Sequence, residues 1–211
     1  MPDALGIQLI PAGFLQTNCY IVWDKASCDA IIIDPGGSSD DIMGFICDNG
    51  LKPSAIVNTH GHADHIGANT ILHAEYGCPI LVHEADAYYL TDLDANLAGL
   101  IGFTEPISPA ADRLLAEGDA VEVGNTMFKV IHTPGHTPGG ICLYHGSTLF
   151  SGDTLFAGSI GRSDFPGGSH EQLIESIKRK LLVLPDDTDV YSGHGTITTI
   201  GEERRHNPWL Q

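Results

Sequence analysis

Short runs of β-branched and aromatic residues open the chain, and residues 7–10, 19–23 and 30–33 read as strands. The third run ends in Asp34-Pro35-Gly36-Gly37, a turn composition. Ser39 and Asp40 then suit a helix N-cap, and Ile42, Phe45 and Ile46 follow at helical spacing. The pattern next predicts a strand over 55–57, a helix over about 66–76 and a strand over 80–82. Residues 92–112 show no clear period and are expected to form a loop or lid near a functional site. Residues 120–123, 127–131, 141–144 and 148–150 alternate like hairpin strands, with Gly124-Asn125 and Gly146-Ser147 as the turns. An amphipathic helix is predicted over 170–183. It gathers Leu173, Ile174, Ile177, Leu181 and Leu182 on one face and places Lys178, Arg179 and Lys180 where cations oppose the helix dipole. A strand at 190–191 and a short helix over 202–206 complete the pattern. Strands then helices, twice over, predict two sheets packed face to face with helices outside, an α/β architecture.

Composition narrows the picture. A length of 211 residues suits one domain and does not demand two. Ten basic residues against 27 acidic ones give a net charge of −17, which repels phosphate backbones and anionic membranes, so neither is an expected partner. The five cysteines are scattered, with no C-x-x-C pair, so neither a disulfide framework nor a structural zinc site is expected. A reducing cytoplasm fits best. The first six residues lack the basic and apolar regions of a secretory leader, and no stretch of 18 apolar residues exists to cross a membrane.

The chemistry concentrates in Thr59-His60-Gly61-His62-Ala63-Asp64-His65, between a strand-like and a helix-like segment. Three histidines and an aspartate in seven residues are more metal donors than packing requires. His60 and His62, two apart in an extended stretch, point to one side, whereas Asp64 and His65 begin a helix and can face elsewhere. Three further turns after strands present His136, Asp153 and His194, each directly preceded by glycine. His60, His62 and His136 make a three-histidine set with an open position; Asp64, His65 and His194 make a second set. Asp153 can bridge the two, giving a two-metal arrangement able to clamp both ends of a hydrolytic displacement. Asp64 and Asp153 are thus the carboxylates expected to matter for catalysis. His73, His83, His145, His170 and His206 read as surface or satisfied core residues, and His132 as a strand-end histidine.

In order along the chain, Ile33-Asp34-Pro35-Gly36, the histidine cluster, Thr133-Pro134-Gly135-His136-Thr137, Ser151-Gly152-Asp153-Thr154-Leu155-Phe156 and Ser192-Gly193-His194-Gly195 resemble the motifs of metallo-β-lactamase-fold hydrolases. Within that group the chain is similar to a short bacterial branch of glyoxalase II-like thioesterases, through residues 161–165 and the ending 205–210. The resemblance implies a four-layer αββα sandwich with the metals at one edge of the sheets. It implies His60, His62 and His136 on the first ion, Asp64, His65 and His194 on the second, Asp153 between them, and Asp34 as a non-ligand aspartate supporting the histidine loop. Arg162 stands where the family holds a carboxylate of glutathione, with an ion pair to Asp164 as the plainer reading. The helical domain that completes the glutathione site in full-length glyoxalase II is not expected in this chain, and Thr196 stands where the resemblance implies a tyrosine. An aspartate at 153 departs from true zinc β-lactamases.

The function expected is hydrolysis of a small thioester, S-lactoylglutathione or a related acyl-thiol, with two metal ions, zinc before iron or manganese. The nearest rival is a persulfide dioxygenase with one iron, whose Gly-Arg-Thr-Asp-Phe motif residues 161–165 resemble; His194 argues against it. A lactonase or phosphodiesterase is a weaker rival. A metal-binding scaffold or sensor without turnover is the non-enzymatic alternative.

Overall fold

The computed structural model describes residues 5–102, 104–105 and 107–211. The sequence reading of the chain's first residues falls mostly outside this set. Strands β1 (Leu5–Ala12), β2 (Thr17–Asp24), β3 (Asp29–Ile33), β4 (Lys52–Val57), β5 (Ile80–His83) and β6 (Arg113–Leu115) form one six-stranded sheet in chain order. It is antiparallel from β1 to β3 and parallel from β3 to β6. Helices α1 (Ser39–Asp48), α2 (Ala63–Ile66) and α3 (Asn69–Tyr76) make or interrupt its crossovers. The second half supplies β7 (Ala120–Val123), β8 (Thr126–His132), β9 (Ile141–His145) and β10 (Thr148–Gly152). A small hairpin of β11 (Leu155–Phe156) and β12 (Ser159–Ile160) follows. Then come α4 (His170–Ser176, prolonged by a wider turn to Leu181), β13 (Asp189–Ser192), β14 (Thr198–Thr199) and α5 (Ile200–His206). The second sheet runs β14-β13-β10-β9-β8-β7.

The apolar runs explain the layers. Ile31 and Ile33 of β3 enter a core between the sheets, with Val57, Phe128, Val130, Leu143 and Phe150. Ile32, on the other face of the same strand, packs with Ile42, Ile46 and Leu72 beneath α1 and α3. On the far side Cys142 and Leu149 meet Leu173, Ile177 and Leu181 of α4. Strands buried on both faces read as unbroken apolar runs. The result is the expected αββα order: helices, sheet, sheet, helices. The two hairpin turns also lie where expected, with Val123 opposite Thr126 and His145 opposite Thr148.

Three local expectations are corrected. The N-cap of α1 is Ser38, in a left-handed conformation at φ 51°, and Ser39 and Asp40 lie in the first turn. The Ser38 hydroxyl accepts from Gly13 N (3.3 Å) and caps no helix amide. The helix expected over 66–76 is two helices, because Ala68 N donates to Pro35 O (2.8 Å) instead of continuing the helical ladder. Residues 92–112 are not wholly irregular: a 3-10 turn covers Ala98–Ile101, and only Phe103 and Pro106 lie outside the described residues. Strands β6, β11, β12 and β14, two or three residues each, are too short for a period to show.

Candidate metal centre

Each turn bearing candidate donors leaves the C-terminal end of a strand. Asp34 follows β3, His60 to His65 follow β4, His136 follows β8, Asp153 follows β10 and His194 follows β13. Face-to-face packing brings these ends to one edge of the sandwich. His62 Nδ1 and His60 Nε2 lie 3.0 and 3.2 Å from His136 Nε2. His65 Nε2 lies 3.6 Å from Asp64 Oδ2 and 3.4 Å from Asp153 Oδ1. His194 Nε2 lies 3.2 Å from Asp64 Oδ2 and 3.7 Å from Asp153 Oδ2, and His136 Nε2 lies 3.6 Å from that same Asp153 oxygen. All seven donors singled out in the sequence therefore converge. They group as His60/His62/His136, Asp64/His65/His194, and His60/His65/Asp153, the last spanning the other two.

These side chains fit metal ions better than one another. Three imidazole nitrogens at hydrogen-bond distance cannot all be satisfied, since each neutral ring has one N–H. Buried His65 Nε2 and Asp153 Oδ1 have no hydrogen-bond partner. Burial, then the neighbouring rings, hold the pKa of His60 well below the usual imidazole value. Burial and His136 lower that of His62 to about 3. Both rings are thus neutral, the form that ligates a cation. In the other half burial works against charge on His65, but Asp64, Asp153 and Asp34 outweigh it and push its pKa up to about 10. Burial opposes charge on Asp64 too, yet His65 and His194 hold its carboxyl below the usual range.

The backbone is built to let these groups meet. A Cβ on Gly193 would overlap Asp153 Oδ1 and stand 2.8 Å from His65 Cε1, so only glycine allows the β13 turn to pass this close. Asp34 accepts from Thr59 N (2.7 Å) and Thr59 Oγ1 (2.6 Å), and its Oδ2 lies 3.0 Å from His65 Nδ1. It thus lies against the start of the histidine loop. Arg162 contributes through its backbone: its carbonyl lies 2.6 Å from His136 Nδ1 and fixes that ring. Its guanidinium makes two bonds to Asp164 (3.0 and 2.9 Å) and covers the Phe165 ring at 4.1 Å.

Two supporting residues escaped the sequence reading. Asp86, fully buried in the 3-10 helix Glu84–Leu90, accepts from Gly61 N (3.1 Å), Thr137 Oγ1 (2.7 Å) and Gly139 N (2.6 Å). It ties the loop of His60 and His62 to the loop of His136. Asn18 donates to Ser192 O (2.9 Å) and Gly195 O (3.0 Å), holding the turn of His194 onto β2. An isolated aspartate or asparagine gives no sequence signal; only proximity reveals these two. His83 caps the 3-10 helix through Nδ1 and stacks on His132 at 3.9 Å, and neither belongs to the donor groups.

A cleft of about 440 Å³ opens over the donors. Its walls are mostly apolar, with Leu97, Leu100, Phe156, Ile160 and Phe165 beside His62, Asp64, His136, Asp153 and His194.

Known proteins share this fold and sequence. A hydroxyacylglutathione hydrolase of Haemophilus influenzae is 38% identical over 209 residues, covering 98% of each chain. The crystal structure of BLEG-1, a B3 metallo-beta-lactamase, superposes with a TM-score of 0.90 at 41% identity, over 97% of this chain and 99% of that one. That of TTHA1623 in a di-iron-bound form gives 0.86 at 39% identity, over 96% and 100%. The sequence family described as the metallo-beta-lactamase superfamily matches residues 12–194, from the end of β1 to the last candidate donor, and the chain belongs to that superfamily.

Proposed function

We propose that the protein is a dinuclear metal-dependent hydrolase of thioesters, of glyoxalase II type. The observation behind this reading is the seven-donor cluster: two sets of three that share Asp153 as a common neighbour and border one cleft. In this reading His60, His62 and His136 hold one ion, Asp64, His65 and His194 the other, and Asp153 stands between. When bound, the ions polarise the thioester carbonyl and make a water acidic enough to attack near neutral pH. Asp34 and the Arg162 carbonyl orient His65 and His136, and Arg162 is the residue proposed to touch substrate. Water adds OH to the acyl carbon and a proton to the departing sulfur as the C–S bond breaks. Neither Cys142 nor Cys19 is suited to act as nucleophile: burial pushes Cys142 up to about 11 and Cys19 higher still. The whole sandwich is taken as one catalytic unit. Zinc is proposed first, with iron supported by the likeness to a di-iron protein.

Metal quantitation on native protein tests the reading, followed by turnover of S-lactoylglutathione beside simple thioesters, a lactone and a β-lactam. Two ions per chain and fastest turnover of a thioester are expected. One iron per chain, with oxygen uptake on glutathione persulfide, would overturn it in favour of the dioxygenase. Fastest turnover of the β-lactam would move the chain to the activity of its structural neighbour.

A further inference from the structure

The cleft beside the candidate donors is apolar where a glutathione site needs charge. A glutathione thioester carries two carboxylates and an ammonium, and burying any of them requires a partner. Among the described residues, the one lysine or arginine lining the cleft is Arg162, and Asp164 takes the Nε–Nη2 edge of its guanidinium in a bidentate pair while Phe165 covers its face. The net charge of −17 further disfavours polyanionic thiol carriers at long range.

Another part of the cleft lining is held in place. Asn96 is fully buried and satisfied: its side chain donates to Tyr89 O (2.8 Å) and accepts from Ala98 N (2.9 Å). Its carbonyl accepts from Ala63 N (2.8 Å), at the start of α2 and one residue from Asp64. The next residue, Leu97, is left-handed at φ 66°, a conformation that leucine adopts at a cost. The strain sits at a residue whose side chain lines the cleft, and the anchor at Asn96 over-determines it. Leu100 follows on the 3-10 turn, 79% exposed at the mouth, where an apolar side chain gains nothing from water.

We propose that the cleft binds the apolar acyl chain of an uncharged thioester, with Leu97 as the residue that sets this specificity and Leu100 extending the wall. The proposal rests on the thioesterase reading and narrows its substrate class: a neutral, short thiol part and a chain of several methylenes, rather than lactoyl on glutathione.

Metal-loaded protein is assayed on S-hexanoyl- and S-acetyl-N-acetylcysteamine and on S-lactoylglutathione. The hexanoyl thioester is expected to exceed the other two in kcat/KM by about tenfold or more, the discrimination that added methylenes give in an apolar pocket. Leu97→Asn, which tolerates the left-handed backbone, is expected to lower the hexanoyl-to-acetyl ratio by about tenfold. Its thermal midpoint should not fall. Leu100→Ser, at an exposed position that folding does not need, should lower the ratio in the same direction. Preference for S-lactoylglutathione, or a ratio moved by neither variant, would overturn the proposal. Calorimetric binding of the non-hydrolysable hexyl thioether separates the two readings. Binding that Leu97→Asn weakens, with no thioester turned over, upholds the cleft and sinks the thioesterase. Turnover without such binding sinks the cleft assignment alone.

Discussion

The two halves of the candidate metal centre differ in what surrounds their donors. In the His60/His62/His136 half the three rings are buried and mutually crowded, His60 and His62 are held neutral, and the loops are joined by the single carboxylate of Asp86. The Asp64/His65/His194 half is acid-rich: Asp34, Asp64 and Asp153 surround His65 and raise its affinity for a proton. Burial opposes charge on His194 as well, but a hydrogen bond to Asp64 and the charge of Asp153 raise its pKa. One half offers ready neutral ligands; the other offers carboxylate charge but must first give up protons. Donors of similar residue type thus reach a cation by different electrostatic routes.

The sharpest way to break this comparison is to remove the residue the halves share. Asp153→Ala should lower hydrolysis by about 10³-fold or more, since metal polarisation contributes several kcal/mol. The same variant should hold fewer than two ions per chain by elemental analysis. Unchanged turnover would show that hydrolysis does not pass through this centre. Metal retention against pH is the next test. A proton on His65 or His194 competes with the cation, so the acid-rich half should weaken by about tenfold per competing proton for each unit fall in pH. The His60 and His62 rings face no such competition until far lower, with His62 near 3. Dialysis at pH 8 and at pH 5 should therefore leave two ions and then one; simultaneous loss of both would erase the distinction.

Asp86→Ala and Asp34→Asn address the supports. Loss of a group that orients metal ligands typically costs about 10–100-fold in metal affinity. Asp86→Ala should weaken the three-histidine half and Asp34→Asn the acid-rich half, read by competition with a chromophoric chelator. Asp86→Ala also strands three donors and should lower stability by about 1–3 kcal/mol in chemical denaturation. If both variants weaken the same ion, the halves are not separately supported. The smallest effect is expected from Arg162→Gln. Its solvent-exposed pair with Asp164 should leave the unfolding midpoint unmoved, and its carbonyl still fixes His136.

Much of this was legible in the sequence. Every candidate donor stood in a short motif after an apolar strand, and each motif reached the common edge. The fold class followed from the order of strands and helices, because strands buried on both faces are written as unbroken apolar runs. The illegible parts share one trait: they depend on residues far apart in sequence. Asp86 gave no signal because its role comes from amides at Gly61 and Gly139, and the break between α2 and α3 because Pro35 takes the bond of Ala68. The apolar wall of the cleft was read only as a loop or lid, since Leu97 and Leu100 form no period with anything around them.

Ligand chemistry and burial period are local properties, so the order of residues was enough to mark the candidate donors and the main strands. The tertiary structure alone decided how His60, Asp153 and His65 share a space, which carboxylates surround His65, and what faces the substrate across the cleft. Those are matters of distance between separate strand ends, and distance sets both the pKa of a buried ring and the character of a cleft.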